Sequence, residues 1–150
     1  MTARKEVLTF KNGQLVAIGN TMAEFKLKGR ASLGRTWLIN RLEDLNKQFN
    51  ADQLATQKNF FKTDEDGEFV YKEDKKTLIL KDGYTMDEAQ KEFDQLVEEP
   101  VSIEISSYSA RMKALFNALE AYPYEMEGQV AQVYALVFDQ FDKAYGKGEQ

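Results

Sequence analysis

Four stretches of the chain place apolar residues at three- and four-residue steps, and each predicts a helix with one buried face. Leu15, Ile18, Met22 and Phe25 form the first stripe, with Gly19 an interruption inside it. Leu38, Leu42, Leu45 and Phe49 form the second, with Trp37 and Arg41 beside it. The segment Asp52 to Phe61 either continues that helix or kinks from it near Asn50. Met112, Leu115, Phe116 and Leu119 form the third stripe. The fourth spans Glu125 to Tyr145 with Val130, Val133, Tyr134, Val137, Phe138 and Phe141, wide enough to predict a central position. One more helix, through Ala89, Phe93, Leu96 and Val97, starts at the capping-box pair Thr85 and Glu88. It stops before Pro100, because the residue preceding proline avoids helical geometry. Ser32 is expected to cap the second helix, and Ser107 or Ser109 the third stripe.

Elsewhere the period is two. Val101, Ile103 and Ile105 alternate with Ser102, Glu104 and Ser106, which predicts a half-buried strand. Glu6 to Phe10 is β-prone and is ended by Lys11-Asn12-Gly13. Glu68 to Tyr71 and Thr77 to Leu80 read as a hairpin joined through Lys72 to Lys76, preceded by a turn at Thr63 to Gly67. The expected class is α+β: about five helices packed with a small antiparallel sheet. A length of 150 residues suits a single globular domain over 1–145, with 146–150 as a frayed tail.

Composition narrows the chemistry. The chain has no cysteine and no histidine. Disulfides, thiolate metal sites, Cys nucleophiles, the Ser-His triad and most zinc sites are thereby removed. Carboxylate, Lys or Tyr chemistry stays open, but no spacing selects a carboxylate pair, so no catalytic residue, metal ligand or cofactor is nominated. No apolar run approaches the ~20 residues that span a bilayer. The start MTARKEV lacks the apolar core of a signal peptide. The expected setting is therefore the cytoplasm, without a membrane.

The net charge of −5 hides a division. Residues 1–63 hold eleven Lys and Arg against five Asp and Glu, whereas residues 64–150 hold nine against twenty. Such asymmetry points to a charged partner, or to halves that neutralise each other within the fold or between subunits.

Lys28-Gly29-Arg30 and Gly34-Arg35 read as a basic loop at a helix start, where backbone N–H groups and arginine favour an anion. Neither a P-loop nor a dinucleotide fingerprint is present, so a nucleotide is not indicated. Asp64-Glu65-Asp66-Gly67-Glu68 places its glycine one alternation too early for a calcium loop and reads as a turn. Tyr108, Tyr122, Tyr124, Tyr134 and Tyr145 concentrate in the C-terminal third, and tyrosine is enriched at protein interfaces. The candidate interaction residues are Lys28, Arg30, Arg35, Tyr122 and Tyr124.

The opening strand with Asn12-Gly13-Gln14-Leu15, the run Leu27-Lys28-Gly29-Arg30-Ala31-Ser32-x-Gly34-Arg35-Thr36 and the strand after Glu98-Glu99 carry a resemblance. The chain resembles a family of small, uncharacterised proteins encoded by phages and prophages of Gram-positive bacteria. The likeness is denser over the first fifty residues and one of layout beyond them. It implies an infected bacterial cell or a virion as the setting, and transfers no catalytic residue.

The expected function is a non-catalytic, phage-encoded accessory protein that binds a protein partner of host or phage, in host takeover, counter-defence or virion assembly; homo-oligomer formation is open. One alternative is a nucleic-acid-associated protein that uses the basic N-terminal half, although no helix-turn-helix or RNA-binding signature supports it. Another is an acidic mimic of nucleic acid that inhibits a host nuclease or defence complex, through acids such as Glu120, Glu125, Glu127, Asp139 and Asp142.

Overall fold

A computed structural model describes residues 6–146. Its elements are β1 (Val7–Lys11), α1 (Leu15–Glu24), α2 (Gly29–Phe60), α3 (Met86–Glu98), β2 (Pro100–Glu104), α4 (Ser109–Glu120) and α5 (Gly128–Tyr145). Single 3-10 turns at Asn12–Gln14 and Ser106–Tyr108 lead into α1 and α4. The α+β class of five helices and a small antiparallel sheet is thus present. The predicted tail falls mostly on 147–150, which lie outside the described residues.

Contacts divide the chain into two compact units. One comprises the segments up to Asn46 and from Pro100 onward; the other is Lys47–Glu99.

In the first unit β1 pairs antiparallel with β2, Leu8 opposite Ile103 and Phe10 opposite Val101. Leu8, Phe10 and Ile103 are buried. The outward pair Thr9 and Ser102 joins its hydroxyls at 2.9 Å. Gln140 of α5 accepts the Thr9 N–H at 2.8 Å. Pro100, which has no N–H to give, stands at the first strand position, where its lack costs least. The helical stripes then supply the core. Leu15, Ile18 and Met22 of α1 are buried, as are Leu38 and Leu42 of α2, Met112, Leu115 and Leu119 of α4, and Val133, Val137 and Phe141 of α5. Phe25 caps the first stripe just beyond α1, buried as expected.

The second unit holds a smaller cluster of Phe60, Phe61 and Ala89, against which Phe69, Leu78, Leu80 and Phe93 pack. Thr85 caps α3 in the expected capping box: its hydroxyl accepts the Glu88 N–H at 3.1 Å, and Glu88 Oε1 accepts the Thr85 N–H at 3.1 Å. The expected hairpin is present as one isolated bridge, Tyr71 to Leu78, and two further bridges, Phe61 to Leu80 and Thr63 to Phe69, tie it to the segment after α2. Asp74 pins its tip by accepting the N–H groups of Lys76 and Thr77, both at 2.9 Å, and the Thr77 hydroxyl. Those bonds, the Thr77 hydroxyl first, hold the Asp74 carboxyl at about 2.

Several local expectations are corrected. Residues Arg30 to Gly34, open between a loop and a helix entry, are the first turns of α2, which begins at Gly29, whose φ of +60° a glycine adopts freely; Ser32 lies inside the helix instead of capping it. The same helix runs through Asn50 without a break. Neither Ser107 nor Ser109 caps α4, whose N-cap is Tyr108 without a side-chain bond. The last helix starts at Gly128, at a φ of +59°, three residues later than its pattern implied, and Val130 of its predicted stripe is exposed.

Candidate functional site

The linker between α1 and α2 sets the geometry. A helix ends with carbonyls that have no intrahelical donor. At the end of α1 they are met by Arg35, from the second turn of α2. Its Nη1 donates to the Phe25 carbonyl and to that of Met22 at 3.4 Å, while Nη2 reaches Ser32 Oγ at 3.4 Å. A cation is favourable at a helix C-terminus, so Arg35 is tied into the fold.

Gly34 supplies the second constraint. A Cβ there would stand 2.7 Å from the Arg111 carbonyl oxygen and 3.2 Å from Met112 Cε. The glycine marks a close approach of α2 to the first turn of α4, and is not part of an anion-binding loop. Because the two helices meet this closely, Arg30 and Leu33 of α2 and Tyr108 to Arg111 at the start of α4 line one cleft of about 440 Å³, with Ser107. Leu33 is 51% exposed and Tyr108 40%.

Cations cover the aromatic rings around this cleft. The Arg111 guanidinium lies 4.5 Å from the centre of the Tyr108 ring. Tyr108 meets Trp37 edge to face at 5.7 Å, and Arg41 lies 5.9 Å over Trp37. Arg41 also pairs with Asp44 at 2.6 Å. Among the described residues no ion pair joins Lys28, Arg30, Arg35 or Arg111 to a carboxylate; beyond Arg41–Asp44 the pairs are Lys62–Asp82 at 4.0 Å and Lys143–Asp139 at 3.2 Å.

The predicted site residues therefore separate. Arg30 lies in the cleft, Arg35 is used up on α1, and Lys28 is exposed without a hydrogen bond or ion pair. Tyr122 and Tyr124 gather instead around Lys26. The Tyr122 hydroxyl accepts the Lys26 N–H at 3.0 Å, its ring sits 5.0 Å from Phe25, and Lys26 Nζ lies 4.7 Å over the Tyr124 ring. Sequence reasoning did not bring Arg111, Leu33 and Tyr108 to Arg30. The three-residue step from Tyr108 to Arg111 was visible, but nothing local links it to a residue some eighty positions earlier.

A second polar grouping holds the unit together. The Glu6 carboxylate accepts the hydroxyls of Ser109 and of Tyr145, the latter at 2.9 Å. The Ser109 bond first, then that of Tyr145, lowers the Glu6 pKa, with a further contribution from Lys113. Burial, and then Glu6, raises the Tyr145 phenol. A carboxylate made less basic and a phenol made less acidic suit a clasp between β1, α4 and α5 better than proton transfer.

Asp64 builds the turn expected before the hairpin. Its Oδ1 accepts the N–H groups of Asp66 at 2.9 Å and Glu68 at 3.0 Å, and Gly67 takes a φ of +81°. Among the described residues no group of three or more His, Cys, Asp or Glu is placed to hold a metal ion, and no helix is long and apolar enough to cross a membrane.

The pattern of the whole chain decides its kinship. It belongs to the DUF1617 family, proteins of unknown function, matched over residues 6–149. The match runs well past the first fifty residues that carry the resemblance, and takes in both units of this DUF1617 chain. No curated protein and no solved structure matches it.

Proposed function

We propose that this DUF1617 protein is a non-catalytic, phage-encoded accessory protein that acts by binding another protein, and that the cleft between α2 and α4 is its contact surface. The observation that carries the reading is the pairing of two arginines without carboxylate partners, Arg30 and Arg111, with exposed Leu33 and Tyr108 in one concavity. Arginine, tyrosine and tryptophan supply most of the energy at protein interfaces, and a guanidinium held over a ring gives up less freedom on binding. The phage setting is supported by the residues Asn12 to Leu15 and Leu27 to Thr36. It puts the protein in the cytoplasm of an infected bacterium or on the virion.

A nucleic-acid partner is supported less well. Arg111 already covers Tyr108 and Arg41 already lies over Trp37, so those ring faces are not open platforms for stacking bases.

Affinity capture from infected cells, with wild type and Leu33→Asp compared by mass spectrometry, tests the proposal. A partner retained by wild type and lost by the variant is expected. Partner sets that are identical for the two proteins, or empty across the infection cycle, overturn it.

A further inference from the structure

We propose that the occupant of the cleft is a second copy of this chain, which inserts the acidic face of its α3; the inference rests on the reading of the cleft as a protein-binding surface. The unit Lys47–Glu99 holds eight Lys and Arg against fourteen Asp and Glu. On α3, Asp87, Asp94 and Glu98 follow one another at steps of seven and four, which places them on one face. With Gln90, Lys91 and Gln95 they line a shallow groove on the surface of that unit. Met86 and Val97 of the same helix are exposed, at 56% and 36%, and offer apolar contact to Leu33. A basic concavity with an apolar rim and an acidic helix with apolar side chains are thus carried by the same chain in equal number. Charge of opposite sign steers such surfaces together and fixes their register.

The two surfaces differ, so the contact is heterologous: each copy gives α3 to one neighbour and its cleft to another, and the assembly grows head to tail. Contacts made by exposed charges are screened by salt, and the association weakens as ionic strength rises.

Two variants test this, each checked for native helicity by circular dichroism. Arg30→Glu/Arg111→Glu reverses the cleft and keeps α3; Asp87→Lys/Asp94→Lys reverses α3 and keeps the cleft. Wild type is expected to sediment as oligomers at low salt and to dissociate at high salt. Each variant alone is expected to sediment as a monomer, and their mixture to associate again, because the unchanged α3 of one meets the unchanged cleft of the other and the two reversed surfaces are again of opposite sign. If Arg111→Glu impairs folding, Arg30→Glu alone serves, since the exposed Arg30 side chain makes no hydrogen bond or ion pair among the described residues. Wild type that stays monomeric at every salt and concentration, or a mixture that never pairs, overturns the inference. Should wild type be monomeric while Leu33→Asp still loses a captured partner, only the second-copy inference falls. A single-stranded oligonucleotide shifted by wild type and released by Arg30→Glu overturns both readings in favour of nucleic acid.

Discussion

Arg35 donates its guanidinium hydrogen to the carbonyl of Phe25, one residue past the end of the preceding helix. Two basic residues five positions apart therefore do different work: Arg35 closes α1, and Arg30 faces the cleft. Arg35→Ala should cost about 1.5–3 kcal/mol, the range for a hydrogen bond to a charged group. Arg30→Ala should stay within about 0.5 kcal/mol of wild type, as exposed substitutions do. Urea denaturation of both variants checks the contrast, and equal midpoints would refute it.

The glycines of the two helices should respond in opposite directions. At Gly34 an added methyl meets backbone at 2.7 Å, and Gly34→Ala should destabilise by about 1–3 kcal/mol through overpacking. At Gly19, inside α1, nothing lies within 4 Å of the new methyl. Gly19→Ala should stabilise by up to about 1 kcal/mol, since alanine gives up less backbone freedom in a helix. Thermal melts of the two variants should move to either side of wild type.

Leu42 is 2% exposed in the first core, and Leu54 on the same helix is 44% exposed. Leu42→Ala should cost about 2–5 kcal/mol, as for buried leucine truncations. Leu54→Ala should cost well under 1 kcal/mol. Similar losses at both sites in a denaturant titration would contradict the register of α2.

Glu6 gives a pH dependence with a definite sign. Its carboxyl pKa lies below the ordinary 4.5 in the folded protein because Ser109 and Tyr145 donate to it. Between the folded value and 4.5 the unfolded chain binds more protons, so this contribution is present above 4.5 and is lost as pH falls through the folded value. Tyr145 works at the other end: its raised phenol keeps a contribution below the ordinary 10.0 that is lost as pH rises above it. Denaturation curves over acid pH should show a shallower loss in Glu6→Gln than in wild type. An unchanged acid slope would remove Glu6 from that role.

Much of this architecture was legible because helical stripes and caps are local. The steps through Leu15, Ile18 and Met22, or Met112, Leu115 and Leu119, mark faces that are buried in the fold, and the Thr85–Glu88 pair closes within one turn. The pairing of Val7 with Glu104 was not legible, since nothing in either strand specifies a partner almost a hundred residues away. Serine was misread for a related reason. Ser32 and Ser109 have the side chain of a cap, but the Ser32 hydroxyl accepts from Arg35 and the Ser109 hydroxyl donates to Glu6 and to the Ser106 carbonyl, and the choice of these partners is not visible from local sequence. The cleft depends on the same non-local packing, so of its lining only Arg30 stood out as a site residue in the sequence.

The division of the chain at Asn46 and Pro100 has a consequence for synthesis. The core of the first unit joins Leu8 to Phe141, so it stays incomplete until the chain has left the ribosome through Phe141. The cluster of Phe60, Phe61 and Ala89 closes over some thirty residues, and contacts of short separation form faster than distant ones. The unit Lys47–Glu99 thus has its structure while the two segments of the other unit still wait for each other. Until α5 is made, β1 and α1 expose an apolar surface with no lasting cover, and this interval is when the protein is most open to aggregation.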